Sequence, residues 1–204
     1  MYKILTVEDT VRIPPRRFDE ELRSAAISEY ENTVAGKIDK ETGIILAVSD
    51  VREIGEGRVI MGDGSAYYDA VFDILVYQPV INEVVEGRVT EITEFGAFVN
   101  FGPIDGLVHI SQITEDVMSY DQKNASLVGK ETKKILKRGD SVRARIVTVS
   151  LKPRFADSKI GLTMRQPYLG KLEWLEEERR SKEKEEKKEK KLTKKITKKK
   201  RKLR

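Results

Sequence analysis

Phe95-Gly96-Ala97-Phe98-Val99 and, after a short turn, Asp105-Gly106-Leu107-Val108-His109-Ile110-Ser111 hold the side chains best suited to chemistry in this chain. Two aromatics bracket a glycine, and the single histidine lies on the next run. Flat aromatic faces stack on bases while nearby polar groups hold the backbone, so these are the parts of a platform for single-stranded nucleic acid. Phe95 and Phe98 are three apart, which in a regular strand puts them on opposite faces. A bulge at Gly96 would bring them onto one face. The plainer alternative is that one or both fill a barrel core. For His109, catalytic and zinc roles lack partners, because the chain has no cysteine and no second histidine. A structural role and an RNA contact both stay open.

The runs around these residues predict the scaffold. Gly87-Arg88-Val89-Thr90-Glu91-Ile92 leads in, and Gly139 to Val147 and Ile160 to Arg165 follow, five β-rich runs with glycine at the corners. That pattern predicts a small closed Greek-key barrel of the OB type over residues 81–167. The polar stretch Gln112 to Arg138 between its third and fourth strands is expected to hold helical turns.

Residues 1–80 read as a separate α+β domain. Tyr2 to Ile13 is rich in β-formers and stops at Pro14-Pro15. Phe18, Leu22, Ala25, Ala26 and Tyr30 recur at helical spacing, with Asp19-Glu20-Glu21 expected in the first turn and Gly36 near the stop. Further strands are expected at Val34 to Ile38, Ile44 towards Ile54 and Tyr67 to Tyr77, giving one helix on an antiparallel sheet. Gly55-Glu56-Gly57 and Gly62-Asp63-Gly64 read as tight turns, and neither continues as a phosphate-binding glycine motif. Residues 168–204 are expected to be a short apolar edge (Leu169, Leu172, Trp174, Leu175) that docks on the body, followed by a charged helical or disordered tail. Glu178–Lys182, Glu183–Lys187 and Glu186–Lys190 are pairs that would support a solvated helix there.

The chain has 204 residues with 39 Lys+Arg and 34 Asp+Glu. Its charge is uneven: Met1 to Ile81 carries 9 basic and 15 acidic residues, Lys171 to Arg204 carries 17 and 8. The high isoelectric point therefore comes from the tail and says little about the folded part. Absence of cysteine excludes disulfides and thiolate chemistry. No apolar run approaches the roughly 18 residues of a membrane span, and no signal-peptide pattern opens the chain, so a cytoplasmic protein without membrane contact is expected. Neither a cofactor nor a metal is called for. Asp63, Asp69 and Asp73 are the best set for a magnesium-dependent nuclease, but Asp63 reads as turn chemistry and the other two flank an apolar run. The aromatic signature of the RRM is out of phase, with Phe95 where its glycine belongs and Gly96 where its aromatic belongs.

Asn82 to about Arg165 resembles the RNA-binding domain named after ribosomal protein S-one. The likeness rests on Gly87-Arg88-Val89, Phe95 to Val99, Asp105 to Ser111, Gly139-Asp140 and Ile160-Gly161-Leu162-Thr163-Met164. It implies an RNA face to which Phe95, Phe98 and His109 contribute. Lys159, and with it Asp157, is carried over from an acidic–basic pair that Lys152 to Lys159 blurs. Tyr2-Lys3-Ile4, Val11 to Pro15, Gly36-Lys37-Ile38-Asp39, Gly55-Glu56-Gly57, Gly62 to Tyr67, Tyr77-Gln78-Pro79 and Met164 to Trp174 are similar to the archaeal E-prime family of RNA polymerase stalk subunits. That family is the counterpart of the seventh subunit of eukaryotic RNA polymerase II. The resemblance implies a non-catalytic subunit paired with a small helical subunit, F. Glycine loops containing Gly36, Lys37, Asp39, Gly57, Gly62, Asp63 and Gly64 would dock on the core beside the clamp, and the barrel would meet single-stranded transcript. A free-standing RNA-binding factor in translation or RNA decay is the alternative, since such barrels are widely reused.

Overall fold

The computed structural model describes residues 1–181. Thirteen strands and two helices follow in chain order: β1 (Tyr2–Ile13), α1 (Leu22–Val34), β2 (Ile38–Asp39), β3 (Gly43–Val59), β4 (Ala66–Tyr77), β5 (Val84–Thr93), β6 (Gly96–Asn100), β7 (Asp105–His109), β8 (Met118–Asp121), β9 (Ser126–Gly129), β10 (Ile135–Lys137), β11 (Ser141–Ser150), β12 (Lys159–Thr163), β13 (Gly170–Lys171) and helical residues 172–181, α2. The tail pairs Glu178–Lys182, Glu183–Lys187 and Glu186–Lys190 reach or lie wholly outside the described residues. Two compact units form. One gathers Met1–Glu83 with Gly102–Gly106 and Ile146–Gly161, the other Val84–Phe101 with Leu107–Arg145 and the chain from Leu162 onward.

In the first unit the strands are ordered β1-β4-β3-β2, all antiparallel. Alternation puts Ala70, Phe72, Ile74 and Val76 of β4 on the face that α1 covers with Ala25, Ala26, Tyr30 and Val34. Tyr30 stacks on Phe72 with ring centroids 4.0 Å apart. Its hydroxyl donates to Asp9 Oδ2 at 3.2 Å, and burial, with Asp9 adding, pushes the phenol up to about 12.

Several expectations are corrected here. Asp19, Glu20 and Glu21 precede α1 rather than form its first turn. Pro15–Arg17 is a 3₁₀ turn, Glu21 is the N-cap, and Phe18 stays exposed. The expected Val34 to Ile38 strand shrinks to β2, because α1 runs to Val34 and Gly36, at φ +78°, turns the chain afterwards. Gly55-Glu56-Gly57 lies inside β3. That strand matches its partner only through four register shifts, at Ile45/Ala47, Val48/Asp50, Val51/Glu53 and Ile54/Gly57. Each extra residue increases the local twist, so β3 coils along β4.

The second face of this sheet disperses the three candidate nuclease aspartates. Asp73 accepts from Thr6 at 2.7 Å and pairs with Arg52 at 2.8 Å. Asp69 accepts from Thr10 at 2.5 Å and pairs with Arg58 at 2.8 Å. Asp63 takes both arms of Arg12, at 2.6 and 2.9 Å, and the Tyr67 hydroxyl. Four residues along β4 separate Asp69 from Asp73 by about 13 Å, too far to share one ion.

The six-stranded sheet, in the order β12-β7-β6-β5-β11-β13, has an additional β12–β11 pairing, which closes a barrel. Val89, Ala97, Val99, Val108, Val142, Ala144 and Leu162 are among its buried side chains. Gln112 to Arg138 is not helical. It forms the antiparallel sheet β10-β9-β8 after a single 3₁₀ turn at Ile110–Gln112. Each of these strands buries few large side chains (Met118, Leu127, Leu136), which is why the stretch reads as polar. Asp116 pins its second turn, accepting from the Thr132 amide at 2.9 Å, the Thr132 hydroxyl at 2.8 Å and the Glu131 amide at 3.1 Å. As expected, Leu169 and Trp174 bury themselves. Lys134 Nζ lies 5.4 Å from the centroid of the Trp174 ring and 2.8 Å from Glu178 Oε1, fastening α2 to this sheet.

The Arg12 hydrogen bond, helped by Tyr67, holds Asp63 down at about 2 from its ordinary 3.8. The stability that this pairing contributes is complete above the ordinary value and disappears as pH falls through about 2. Thermal unfolding followed from pH 5 down to pH 2 is expected to show a smaller drop in midpoint for Asp63→Asn than for the wild type. An equal drop would dissociate Asp63 from the acid response.

Candidate nucleic-acid interface

Phe95 and Phe98 meet, though by a route different from the one the sequence suggests. Phe95 is not in a strand; it sits in the β5–β6 turn, and Phe98 is the third residue of β6. The bulge is not at Gly96 either but across in β5, where the register jumps between Val89 and Glu91 and leaves Thr90 extra. Glu91 then pairs with Phe98, and Arg88 with Asn100. Ala97 and Val99 point into the core, while Phe98 and Asn100 share the outer face. The two phenylalanine rings stand edge to face at 87°, centroids 6.1 Å apart. Phe95 is 51% exposed and Phe98 is half-buried, so one ring is propped by the other and both offer surface.

Gly96 makes the arrangement possible. A Cβ there would fall on the Val108 carbonyl oxygen and 3.0 Å from His109 Cα. The Ile110 amide donates to the Phe95 carbonyl at 2.9 Å, and Thr93 Oγ1 donates to the Gly96 carbonyl at 3.0 Å. The aromatic turn is therefore clamped against the end of β7, where His109 is exposed.

His109 caps the 3₁₀ turn that follows it. Its Nδ1 accepts from the Ser111 amide at 3.3 Å and lies 2.8 Å from Ser111 Oγ. In the neutral ring this leaves the proton on Nε2, so the free edge of His109 is a hydrogen-bond donor. Gln112 continues the clamp. Its backbone oxygen accepts from the Met164 amide at 2.8 Å, and its Oε1 accepts from Thr163 Oγ1 at 2.9 Å. Sequence reasoning did not single out Gln112, since a polar residue after the motif has no distinguishing pattern.

Lys159 is exposed at the first position of β12. Gly36, Lys37, Asp39, Gly57, Gly62, Asp63 and Gly64 are all exposed on the first unit. Asp39 shapes the β2–β3 turn, accepting from the Glu41 and Thr42 amides at 2.9 and 3.0 Å, and those bonds hold its carboxyl below the usual range. Beside Gly62, Val59 and Ile60 are exposed and Met61 is fully so. Among the described residues no group of three His, Cys, Asp or Glu side chains is placed to hold a metal ion. No described helix is long and apolar enough to cross a membrane.

Residues 78–152 match the S1 RNA binding domain, and residues 8–64 match the SHS2 domain found in the N terminus of Rpb7p/Rpc25p/MJ0397. The chain is 45% identical to DNA-directed RNA polymerase subunit Rpo7 of Saccharolobus shibatae over 86% of its own length and 97% of that protein's. It belongs to the Rpo7 family of RNA polymerase subunits. Rpo7 of Sulfolobus acidocaldarius is 42% identical over 87% of this chain and 97% of its own. RNA polymerase III subunit RPC8 of Saccharomyces cerevisiae is 28% identical over 76% of each. The matched S1 region of this Rpo7-family chain contains Phe95, Phe98 and His109 and ends before Lys159. The matched SHS2 region contains all seven glycine-loop candidates.

The Gly96→Ala variant is expected to unfold at lower denaturant than the wild type by about 1–3 kcal/mol, because the new methyl group must displace the β7 backbone. Equal stability would mean that the close approach at Val108 does not constrain the turn.

Proposed function

We propose that this Rpo7-family chain is the non-catalytic stalk subunit of an archaeal DNA-directed RNA polymerase, that it binds emerging transcript on its barrel, and that it does so in the cytoplasm. The observation that carries the RNA role is the exposed edge-to-face pair of Phe95 and Phe98 beside the Nε2–H donor of His109, within a matched S1 RNA binding domain. Bases stack on the two rings, and His109 donates to a phosphate or base edge. Lys159 supplies a cation on the same strand system. Residues 1–80 act as the docking domain, 81–167 as the RNA-binding domain and 168–204 as an appended segment.

Docking to the polymerase core beside the clamp falls to the exposed loops of the first unit: Gly36, Lys37 and Asp39 in one, Gly57, Gly62, Asp63 and Gly64 in the other. Asp63 serves there as a brace, since Arg12 and Tyr67 already occupy its carboxylate. The apolar run Val59-Ile60-Met61 gives this loop a side-chain anchor, exposed in the isolated chain and suited to a pocket on a partner. A small helical subunit, F, completes the stalk.

Two outcomes test this reading. The Phe98→Ala variant, with an unchanged thermal midpoint, is expected to bind single-stranded RNA about 5- to 150-fold more weakly, as loss of stacking worth about 1–3 kcal/mol implies. Wild-type affinity in the folded variant would remove Phe98 from the site. Met61→Asp, tagged and recovered from cells, is expected to bring down the small partner without the large polymerase subunits. Unchanged recovery of the large subunits would remove this loop from the docking surface.

A further inference from the structure

The outer surface of β5, β6 and β11 carries more than the aromatic pair. The register places Arg88 beside Asn100, which shares a face with Phe98. Across β5, the same register pairs Ser141 with Arg88, Arg143 with Glu86 and Arg145 with Val84. Val142, Ala144 and Ile146 are buried, so Arg143 and Arg145 lie on the outer face with Arg88. Phe98, Asn100, Arg88, Arg143 and Arg145 thus form one continuous outward track. Glu86 and Glu91 lie on the same face.

The three guanidiniums are held differently. Arg88 is anchored by its Nε, which donates to the Gly139 carbonyl at 2.8 Å. Arg143 is held by Glu86 at 2.7 Å. Arg145 is partly buried, and its Nε is shielded from solvent without any acceptor. A dry, unsatisfied donor on a cation is unfavourable for folding and calls for a partner. Tyr168 lies two residues before Gly170, the β13 residue that pairs with Arg143. It is 77% exposed and has φ +65°, an unfavourable conformation for an aromatic residue.

We propose that Arg88, Arg143 and Arg145, ending at Tyr168, form a second RNA-contacting surface: a phosphate track that takes the backbone of a strand whose neighbouring bases stack on Phe95 and Phe98. The proposal rests on the RNA platform described above and extends it. Five residues along β5 and two strand spacings separate the Phe98 and Arg143 positions, roughly 20 Å. That span fits the about 4–16 nucleotides that OB folds engage. Arginine supplies the planar donors that phosphate oxygens accept, and Tyr168 supplies a further face for a base.

Fluorescence anisotropy of the full chain with labelled oligouridylates of about four and about twelve nucleotides, chosen to bracket that range, separates the two surfaces. The Arg143→Gln/Arg145→Gln double variant is expected to bind the longer RNA about tenfold more weakly and to lower its salt slope by about 1.4, from about 0.7 for each lost single-strand phosphate contact. The shorter RNA is expected to bind as before. Tyr168→Gly guards against misfolding as the explanation. Glycine adopts φ +65° readily, so the variant is expected to keep the wild type's folded circular-dichroism spectrum while affinity for the longer RNA falls. Wild-type affinity and slope in the double variant, with Phe98→Ala still impaired, would overturn the track and leave the platform standing. Equal loss for both lengths would also overturn it as a separate surface. Failure of the wild type to bind either length would overturn the platform, and the track with it.

Discussion

The close approach of β6 to the end of β7 at Gly96 is the constraint on which the interface depends. Only a residue without a side chain lets the Val108 carbonyl lie over the backbone there. The Ile110 amide can then reach the Phe95 carbonyl, and the aromatic turn and the histidine become neighbours. Phe95 is thereby released from the two-residue alternation that binds Phe98. A ring in a turn and a ring on a strand can face the same way, whereas two rings three apart on one strand cannot.

A comparable division of labour governs the first unit. One face of its sheet is closed by α1 around the Tyr30–Phe72 stack. The other is laced by threonine–aspartate–arginine sets from β1, β4 and β3. Such exposed pairs add little individually to stability. Their effect is on register and chemistry: they align three strands that bulges would otherwise let slip, and they occupy every carboxylate that a nuclease reading requires. The Arg12–Asp63, Arg52–Asp73 and Arg58–Asp69 pairs take up those three carboxylates, while the glycine loops and the Val59-Ile60-Met61 run stay exposed.

Much of this was legible in the residues. The order of strand, helix and strands in residues 1–80, the turn at Gly36 and the glycine-cornered barrel all follow from local patterns that bury one face or break the chain. Other features were hidden for identifiable reasons. The sheet β8–β10 escaped notice because its strands are three or four residues long and bury few large side chains each. The length of β3 was obscured by bulges, which shift the apolar alternation and make Gly55-Glu56-Gly57 look like a turn. The start of α1 moved because a 3₁₀ turn at Pro15–Arg17 comes first, and the residues expected to open the helix, Phe18 to Glu21, form the bend between that turn and α1.

By itself the sequence determined which side chains were available: three phenylalanines and one histidine within fifteen residues, cysteine nowhere, and cations concentrated at the end of the chain. It also determined the family, as the 45% identity to Rpo7 of Saccharolobus shibatae over most of both chains shows. The tertiary structure decided which of those side chains share a face. Placing Phe95 in the turn and the bulge in β5 depends on the register of the β5–β6 pair, and placing Arg145 in line with Arg88 depends on the pairing of β5 with the distant β11. A change of register by one residue would reverse the face of each, and register is set by the whole barrel rather than by any single strand.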